Sequence, residues 1–232
     1  MSRLTNETIL ITDINRMSSV SEAYRALRTN TQFASIDKPA RMLCVTSCQE
    51  GEGKTTTCAN LAITYAQEGK RTLIIDADLR KSTLHQAFAV PNQLGLTHYL
   101  VTKQSLENVA IKTYVDNLWL VPAGPIPINP TELLSSSKMD QLLLEALNQF
   151  DVIIIDTPPV LYVTDAQIIA AKCEGVLLVI RSGKIKRNAL IKAKGKLEHV
   201  KARIMGVVLN DKRKSSEDSK YYKYAGSRHS NM

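Results

Sequence analysis

Met42-Leu43-Cys44-Val45-Thr46-Ser47-Cys48-Gln49-Glu50-Gly51-Glu52-Gly53-Lys54-Thr55-Thr56 is an apolar run that breaks into a glycine-rich loop and then into a helical pattern. The run over 42–46 reads as a buried strand, and the helix over 54–67 follows it directly. Glycines let the loop curl so that several backbone N–H groups converge on phosphate oxygens. The helix N-terminus adds its partial positive charge at the same point. In such a loop the lysine, Lys54, contacts the β- and γ-phosphates, and the Thr55 hydroxyl ligates Mg²⁺. Cys48 stands where the motif usually has its first glycine, but the strand–loop–helix setting agrees independently with the spacing. The stretch therefore predicts a nucleoside triphosphate site with magnesium, lined by Glu50, Gly51, Glu52, Gly53, Lys54, Thr55 and Thr56.

Working outward, further Val/Ile/Leu-rich runs lie over 72–75, 117–122, 152–155, 175–180 and 204–209. Continuous apolar runs suit parallel strands covered on both faces. Helical patterns over 131–149, 164–171 and 187–199 alternate with them, which predicts an α/β fold with a doubly wound, mostly parallel sheet in three α/β/α layers. Asn129 reads as an N-cap, with Pro130 at the first helical position and Glu132 placed as in a capping box. An amphipathic helix is expected over 18–33, with Val20, Tyr24, Leu27 and Thr31 on one face.

Two strand ends carry acids. Asp156 closes the 152–155 run and leads into Thr157-Pro158-Pro159, where a Walker B carboxylate would hold magnesium directly or through water. Asp76 and Asp78 follow the 72–75 run in Asp76-Ala77-Asp78-Leu79-Arg80. Open parallel sheets place ligands at these carboxyl ends. An ion pair between Asp78 and Arg80 is the competing structural role. Three carboxylates exceed what one magnesium ion requires, so one is free to act as a base.

Composition bounds the rest. A chain of 232 residues with 44% hydrophobic content has material for a core. No apolar run nears the roughly 20 residues of a membrane span, and the first residues lack a signal-peptide pattern. A cytoplasmic location follows. The four cysteines, Cys44, Cys48, Cys58 and Cys173, have no metal-ligand spacing and read as small buried residues, with Cys48 a possible oxidation point. The net charge is +8, and residues 181–232 hold 15 of the 30 Lys and Arg against Glu198, Asp211, Glu217 and Asp218. Aromatic residues do not alternate with these charges, so no nucleic-acid partner is expected. Residues 211–232 are polar, charged and poor in aliphatics, the composition of a flexible tail.

The Walker A loop, the IIDADLR segment and the IIIDTPP segment together resemble the bacterial tyrosine kinases of the CpsD/CapB type, built on the P-loop NTPase fold of the MinD/ParA group. The resemblance spans about residues 18–226 and includes Asn129-Pro130-Thr131-Glu132-Leu133-Leu134 and Gly206-Val207-Val208-Leu209-Asn210. It implies an ATP-dependent, autophosphorylating protein-tyrosine kinase of capsular and exopolysaccharide synthesis, with ATP and Mg²⁺ as cofactors. It adds Asn210 to the nucleotide site. MinD and ParA proteins carry a second lysine early in the loop, where this chain has Gln49. The family's terminal tyrosine cluster corresponds to Tyr221, Tyr222 and Tyr224, and its E-x-x-R-x-x-R ring-assembly motif to Glu22, Arg25 and Arg28. Glu22 and Arg25 could equally pair within one helix.

These matches imply an N-terminal segment 1–36 with the oligomerisation helix, a kinase domain 37–210 and a tyrosine-bearing tail 211–232. Lys54, Asp76 and Asp78 are the catalytic candidates, and Thr55, Asp78 and Asp156 the metal ligands. Asp76 is the candidate base, a role that Asp78 could take instead. The resemblance also implies a membrane-bound activator, like a polysaccharide co-polymerase, whose cytoplasmic tail completes the site. That would hold the kinase at the inner face of the membrane. Ring-shaped self-assembly and other tyrosine-bearing protein substrates follow from the same source. A MinD/ParA-like positioning ATPase and a non-catalytic ATP-binding regulatory subunit are the competing readings.

Overall fold

The computed structural model describes residues 10–34 and 39–212. The elements in chain order are helices α1 (Ile11–Ile14) and α2 (Ser19–Phe33), strand β1 (Met42–Ser47), α3 (Lys54–Gln67), β2 (Thr72–Asp76), α4 (Leu84–Ala87), α5 (Leu96–Val101) and α6 (Leu106–Val109). There follow β3 (Ile111–Lys112), β4 (Leu118–Val121), α7 (Pro130–Ser135), α8 (Ser137–Gln149), β5 (Val152–Asp156), α9 (Asp165–Lys172), β6 (Gly175–Arg181), α10 (Arg187–His199) and β7 (Ile204–Asn210). One sheet runs β3-β4-β2-β5-β1-β6-β7, parallel except for the short β3–β4 pair. The expected doubly wound sheet is present.

The alternation of side chains along each strand divides the core into two layers. On one face Cys44, Ile75, Ile155 and Leu178 pack with Leu142, Ile169 and Leu197 of α8, α9 and α10. On the other, Val45, Ile74, Ile154 and Leu177 pack with Cys58, Leu61 and Ala62 of α3. Both faces of the central strands are thus covered, which is why they read as unbroken apolar runs.

β1 lies between β5 and β6, and β2 lies on the far side of β5. The register places Asp76 beside Asp156 and Val45 beside Asp156. The loop after β1 and the acids ending β2 and β5 consequently meet at one rim.

α3 is buried on almost every side, from Thr57 to Ala66, because α1 and α2 lie across its outer face. Its small, apolar sequence requires that cover. Thr12 donates its backbone N–H (3.0 Å) and hydroxyl (2.8 Å) to the Asn60 side chain, and Thr31 shares a 2.7 Å hydrogen bond with the Tyr65 hydroxyl.

Three local expectations are corrected, and one strand goes beyond them. The helix expected over 131–149 is two helices, broken at Ser136, whose ψ is 157°. The Ser135 and Ser136 hydroxyls donate to the carbonyls of Glu132 and Leu133, competing with the helical ladder as serines do. Asn129 makes no side-chain cap; its amide instead donates to Glu132 Oε2 at 3.0 Å, so no capping box forms. On α2, Val20 faces water and Ser21 takes its place on the buried face with Tyr24 and Thr31. The two-residue strand β3 carries too little periodic signal to be read from sequence.

Asn60→Ala leaves the buried Thr12 N–H without its acceptor. Urea denaturation should show a loss of about 1–3 kcal/mol, the cost of one orphaned buried donor.

Candidate active site

Gly53 takes φ 92° at the N-cap of α3, and Gly51 takes φ 75°. A Cβ on Gly53 would lie 2.0 Å from Asn210 Nδ2, which itself donates to the Glu52 carbonyl at 2.9 Å. The end of β7 therefore clamps the phosphate loop from the side, through a residue first singled out only by resemblance.

The loop's two acids do different things. Glu52 is buried, and its Oε2 accepts the Gln49 backbone N–H at 2.7 Å, closing the loop on itself. Glu50 faces water and pairs with Lys81 at 2.6 Å, which holds its carboxyl below the usual range. Thr56 is half-buried, and its carbonyl accepts from the Asn60 amide at 2.9 Å. Burial, with a smaller contribution from Glu52, pushes the Cys48 thiol up to about 12. At neutral pH almost no thiolate forms there, which argues against Cys48 as an oxidation point.

The remaining sequence-predicted residues converge. Lys54 Nζ lies 2.9 Å from Asp78 Oδ2, 3.4 Å from Asp156 Oδ2 and 3.1 Å from Thr55 Oγ1. The Thr55 hydroxyl donates to Asp156 Oδ2 at 2.6 Å. Asp76 accepts backbone N–H bonds from Asp78 (3.2 Å) and Leu84 (3.3 Å). All three carboxylates are buried.

Burial of that much negative charge displaces the titrations. Desolvation, reinforced by the Asp156 charge, pushes Asp76 up to about 8. Desolvation also raises Asp156, against the pull of Lys54 and the Thr55 hydrogen bond. For Lys54 burial works against the ammonium, but Asp156, Asp78 and Asp76 outweigh it and hold the pKa above the ordinary value.

Among the described residues, no group of three or more His, Cys, Asp or Glu is disposed to hold a metal ion by itself. The donor set still fits Mg²⁺, which commonly takes one or two carboxylates and completes its shell with water and substrate phosphates. Thr55 Oγ1 and Asp156 Oδ2 already stand together, and Asp78 meets the same Lys54 ammonium that they do.

Arg80 does not pair with Asp78. Its Nε and Nη2 reach the fully buried Asp165 at 2.8 and 3.2 Å, and Thr131 Oγ1 donates to Asp165 at 2.7 Å. The sequence does not single out Asp165, because an acid in the first turn of a helix is common and nothing local marks it as a buried ion-pair partner. On α2, Glu22 pairs with Arg25 at 2.6 Å, and Arg28 donates to the Thr64 carbonyl of α3 at 2.8 Å. Tyr221, Tyr222 and Tyr224 lie outside the described residues.

A family model described as an AAA domain matches residues 40–205. The tyrosine-protein kinase YwqD of Bacillus subtilis (strain 168) is 44% identical over 223 residues, covering 96% of this chain and 93% of that protein. The crystal structure of the chimerical protein CapA2B2 superposes with a TM-score of 0.86 at 38% identity, covering 89% of this chain and 91% of the other. The kinase domain of the Escherichia coli tyrosine kinase ETK gives a TM-score of 0.86 at 33% identity, over 93% of this chain and 83% of that one.

The raised carboxyl pKa values carry a sign. A carboxyl whose folded pKa exceeds its unfolded value binds more protons when folded, so stability falls as pH rises between the two. For Asp76 that window runs from 3.8 to about 8. Nucleotide-free protein should lose thermal stability as pH rises through this window, and Asp76→Asn should flatten the decline. Melting temperatures measured across the window check it.

Proposed function

The chain belongs to the bacterial tyrosine-protein kinases of the CpsD/CapB type, and on that premise we propose that it moves the γ-phosphoryl group of ATP onto its own tyrosines Tyr221, Tyr222 and Tyr224. The observation that carries this reading is the cluster of Asp76, Asp78 and Asp156 around Lys54 at one rim of the sheet. It offers more carboxylate than metal binding needs, in a buried setting that tunes one acid toward neutral pH.

In the proposed reaction the tyrosine Oη attacks Pγ, the bond from Pγ to the β–γ bridging oxygen breaks, and ADP leaves with the electron pair. Such transfers depend on positioning and on neutralising charge. Lys54 and the amides of residues 51–55 face the phosphates and stabilise charge on the transferred group. Thr55, Asp78 and Asp156 would hold Mg²⁺, which when bound neutralises phosphate charge. The phenolic proton, with an ordinary pKa near 10, passes to a carboxylate late in the transfer. Asp76 is the candidate, because its pKa of about 8 lies near the working pH while Asp78 is engaged by the Lys54 ammonium. Asn210, Glu50, Glu52 and Thr56 complete the nucleotide loop, Asn210 by bracing it and Glu52 by closing it.

The same reading gives the α2 motif a second task. Glu22 and Arg25 pair with each other on an exposed surface, where such pairs contribute little to stability. They remain available for exchange with a neighbouring copy in a ring, and Arg28 ties that helix to α3, which starts at the phosphate loop. No helix among the described residues is long and apolar enough to cross a membrane. In the proposed reading a separate membrane-bound activator, implied by the family resemblance, would hold the kinase at the inner membrane face in capsular or exopolysaccharide synthesis. Phosphorylation would add roughly −1.5 to −2 charges per tyrosine to a basic segment.

Incubation with Mg-ATP and an activator tail, followed by phosphotyrosine mass spectrometry, tests the reaction. Label is expected on Tyr221, Tyr222 or Tyr224 and should vanish in Lys54→Met. ATP hydrolysis without tyrosine label would favour a MinD/ParA-like ATPase, although Gln49 lacks that group's second lysine. ATP binding with neither reaction would favour a regulatory subunit.

A further inference from the structure

The positive charge of this chain is segregated. Residues 181–232 hold 15 Lys and Arg against four acids, whereas residues 1–180 hold the other 15 against 18. The net charge of +8 therefore arises entirely in the C-terminal part. Within its described portion the cations gather on and around α10. Arg187, Lys192 and Lys194 are exposed on the helix, Lys184 and Lys186 on the segment leading into it, and Lys201 in the turn after it. Lys194 pairs with Glu198 at 2.9 Å, and the other five have no acidic partner among the described residues. The neighbouring helix α9 differs, since its Lys172 is matched by Asp140 of α8. Ala193 and Leu197 set the core side of α10, and at 3.6 residues per turn Ile191 falls on the outward side, 56% exposed. Arg187 and Lys194 lie one turn before and after it on the same stripe. Gly195, one turn beyond Ile191, has nothing within 4 Å of where a Cβ would stand. Glycine weakens a helix relative to alanine, and no packing in the fold calls for it here.

We infer that the outward face of α10, centred on Ile191, docks on an anionic lipid bilayer, so that the chain has a membrane-facing surface of its own beside any activator. Charge complementarity names the occupant. A bilayer offers a plane of phosphates for cations spread along about 20 Å of helix, and an apolar layer for Ile191. Interfacial helices place an aliphatic side chain among Lys and Arg in this way, with the long stems on apolar surface and the charged heads at the phosphates. Surfaces for single-stranded nucleic acid interleave their cations with aromatic rings, and residues 181–212 contain no aromatic residue. Lys212-Arg213-Lys214 continues the charge along the sequence past β7. The lipid face stands independently of the kinase reading, but its release rests on it. Each phosphate on Tyr221, Tyr222 or Tyr224 would add roughly −1.5 to −2 charges, so three would offset roughly half of the positive excess of residues 181–232. Phosphorylation then loosens the chain from lipid, as charge-changing modification does for other polybasic surfaces.

The test is co-sedimentation of full-length protein with lipid vesicles, in the absence of nucleotide and activator. Wild type should bind vesicles made of equal parts phosphatidylglycerol and phosphatidylcholine, and not vesicles of phosphatidylcholine alone; added salt should weaken the binding. Arg187→Gln/Lys192→Gln should bind about thirtyfold more weakly, the effect of two charges near an anionic surface. Ile191→Asn should also bind more weakly while keeping the salt dependence. Lys70→Gln/Lys112→Gln, which removes exposed cations elsewhere, should bind as wild type does. All these side chains already face solvent, so melting temperature and ATP affinity should hold. Wild type that ignores the anionic vesicles, an Arg187→Gln/Lys192→Gln variant that binds them fully, or an equal loss in Lys70→Gln/Lys112→Gln would overturn the face. Tighter binding to a DNA duplex than to the vesicles would overturn it in favour of nucleic acid. Protein carrying phosphotyrosine should bind the vesicles more weakly, and unchanged binding would overturn the release. Vesicle binding through α10 in protein that forms no phosphotyrosine with Mg-ATP and activator would keep the face and sink the kinase reading.

Discussion

One ammonium group among three buried carboxylates is the constraint around which this molecule is arranged. Lys54 meets Asp78 at 2.9 Å and Asp156 at 3.4 Å, with Asp76 alongside in register with Asp156. Burying several like charges together is unfavourable unless they are paired, hydrogen-bonded or protonated. All three remedies are in use here: Lys54 pairs, Thr55 and backbone N–H groups donate, and Asp76 is shifted toward holding its proton. A polyphosphate entering the loop would compete for the same ammonium, and nucleotide binding would then be coupled to the protonation of the acids.

The fold serves that cluster. A central β1 delivers the loop, and β5 and β2 deliver the acids one and two strands away. The cover of α1 and α2 over α3 fixes the helix whose first residue is Lys54. β7 contributes from the other side through Asn210, which fills the space that a side chain at position 53 would need. The Arg80–Asp165–Thr131 knot then ties the β2 exit to α7 and α9 at the same rim of the sheet.

Most of this was legible because the strands are doubly buried and the acids end them. Apolar runs located the six long strands, and the glycine spacing located the loop. The two-residue strand β3 was not legible because it is too short to show a period, and the break at Ser136 was not because it depends on serine hydroxyls competing for backbone carbonyls. Val20 was misplaced for a related reason: the buried face of α2 is built on Ser21, which bonds the carbonyls of Ile11 and Asn15, and not on the nearest aliphatic. Asp165 was missed because its partners, Arg80 and Thr131, are 85 and 34 residues away. No local pattern signals such a contact.

The direct measurement of the central claim is a ¹³C-aspartate NMR titration of the nucleotide-free protein. One carboxyl should titrate near pH 8, and its signal should be the one lost in Asp76→Asn. Addition of a non-hydrolysable ATP analogue with Mg²⁺ should move that titration, because the phosphates draw on the same ammonium. Aspartates that all titrate below about pH 5, close to their ordinary range, and ignore the nucleotide would contradict the account.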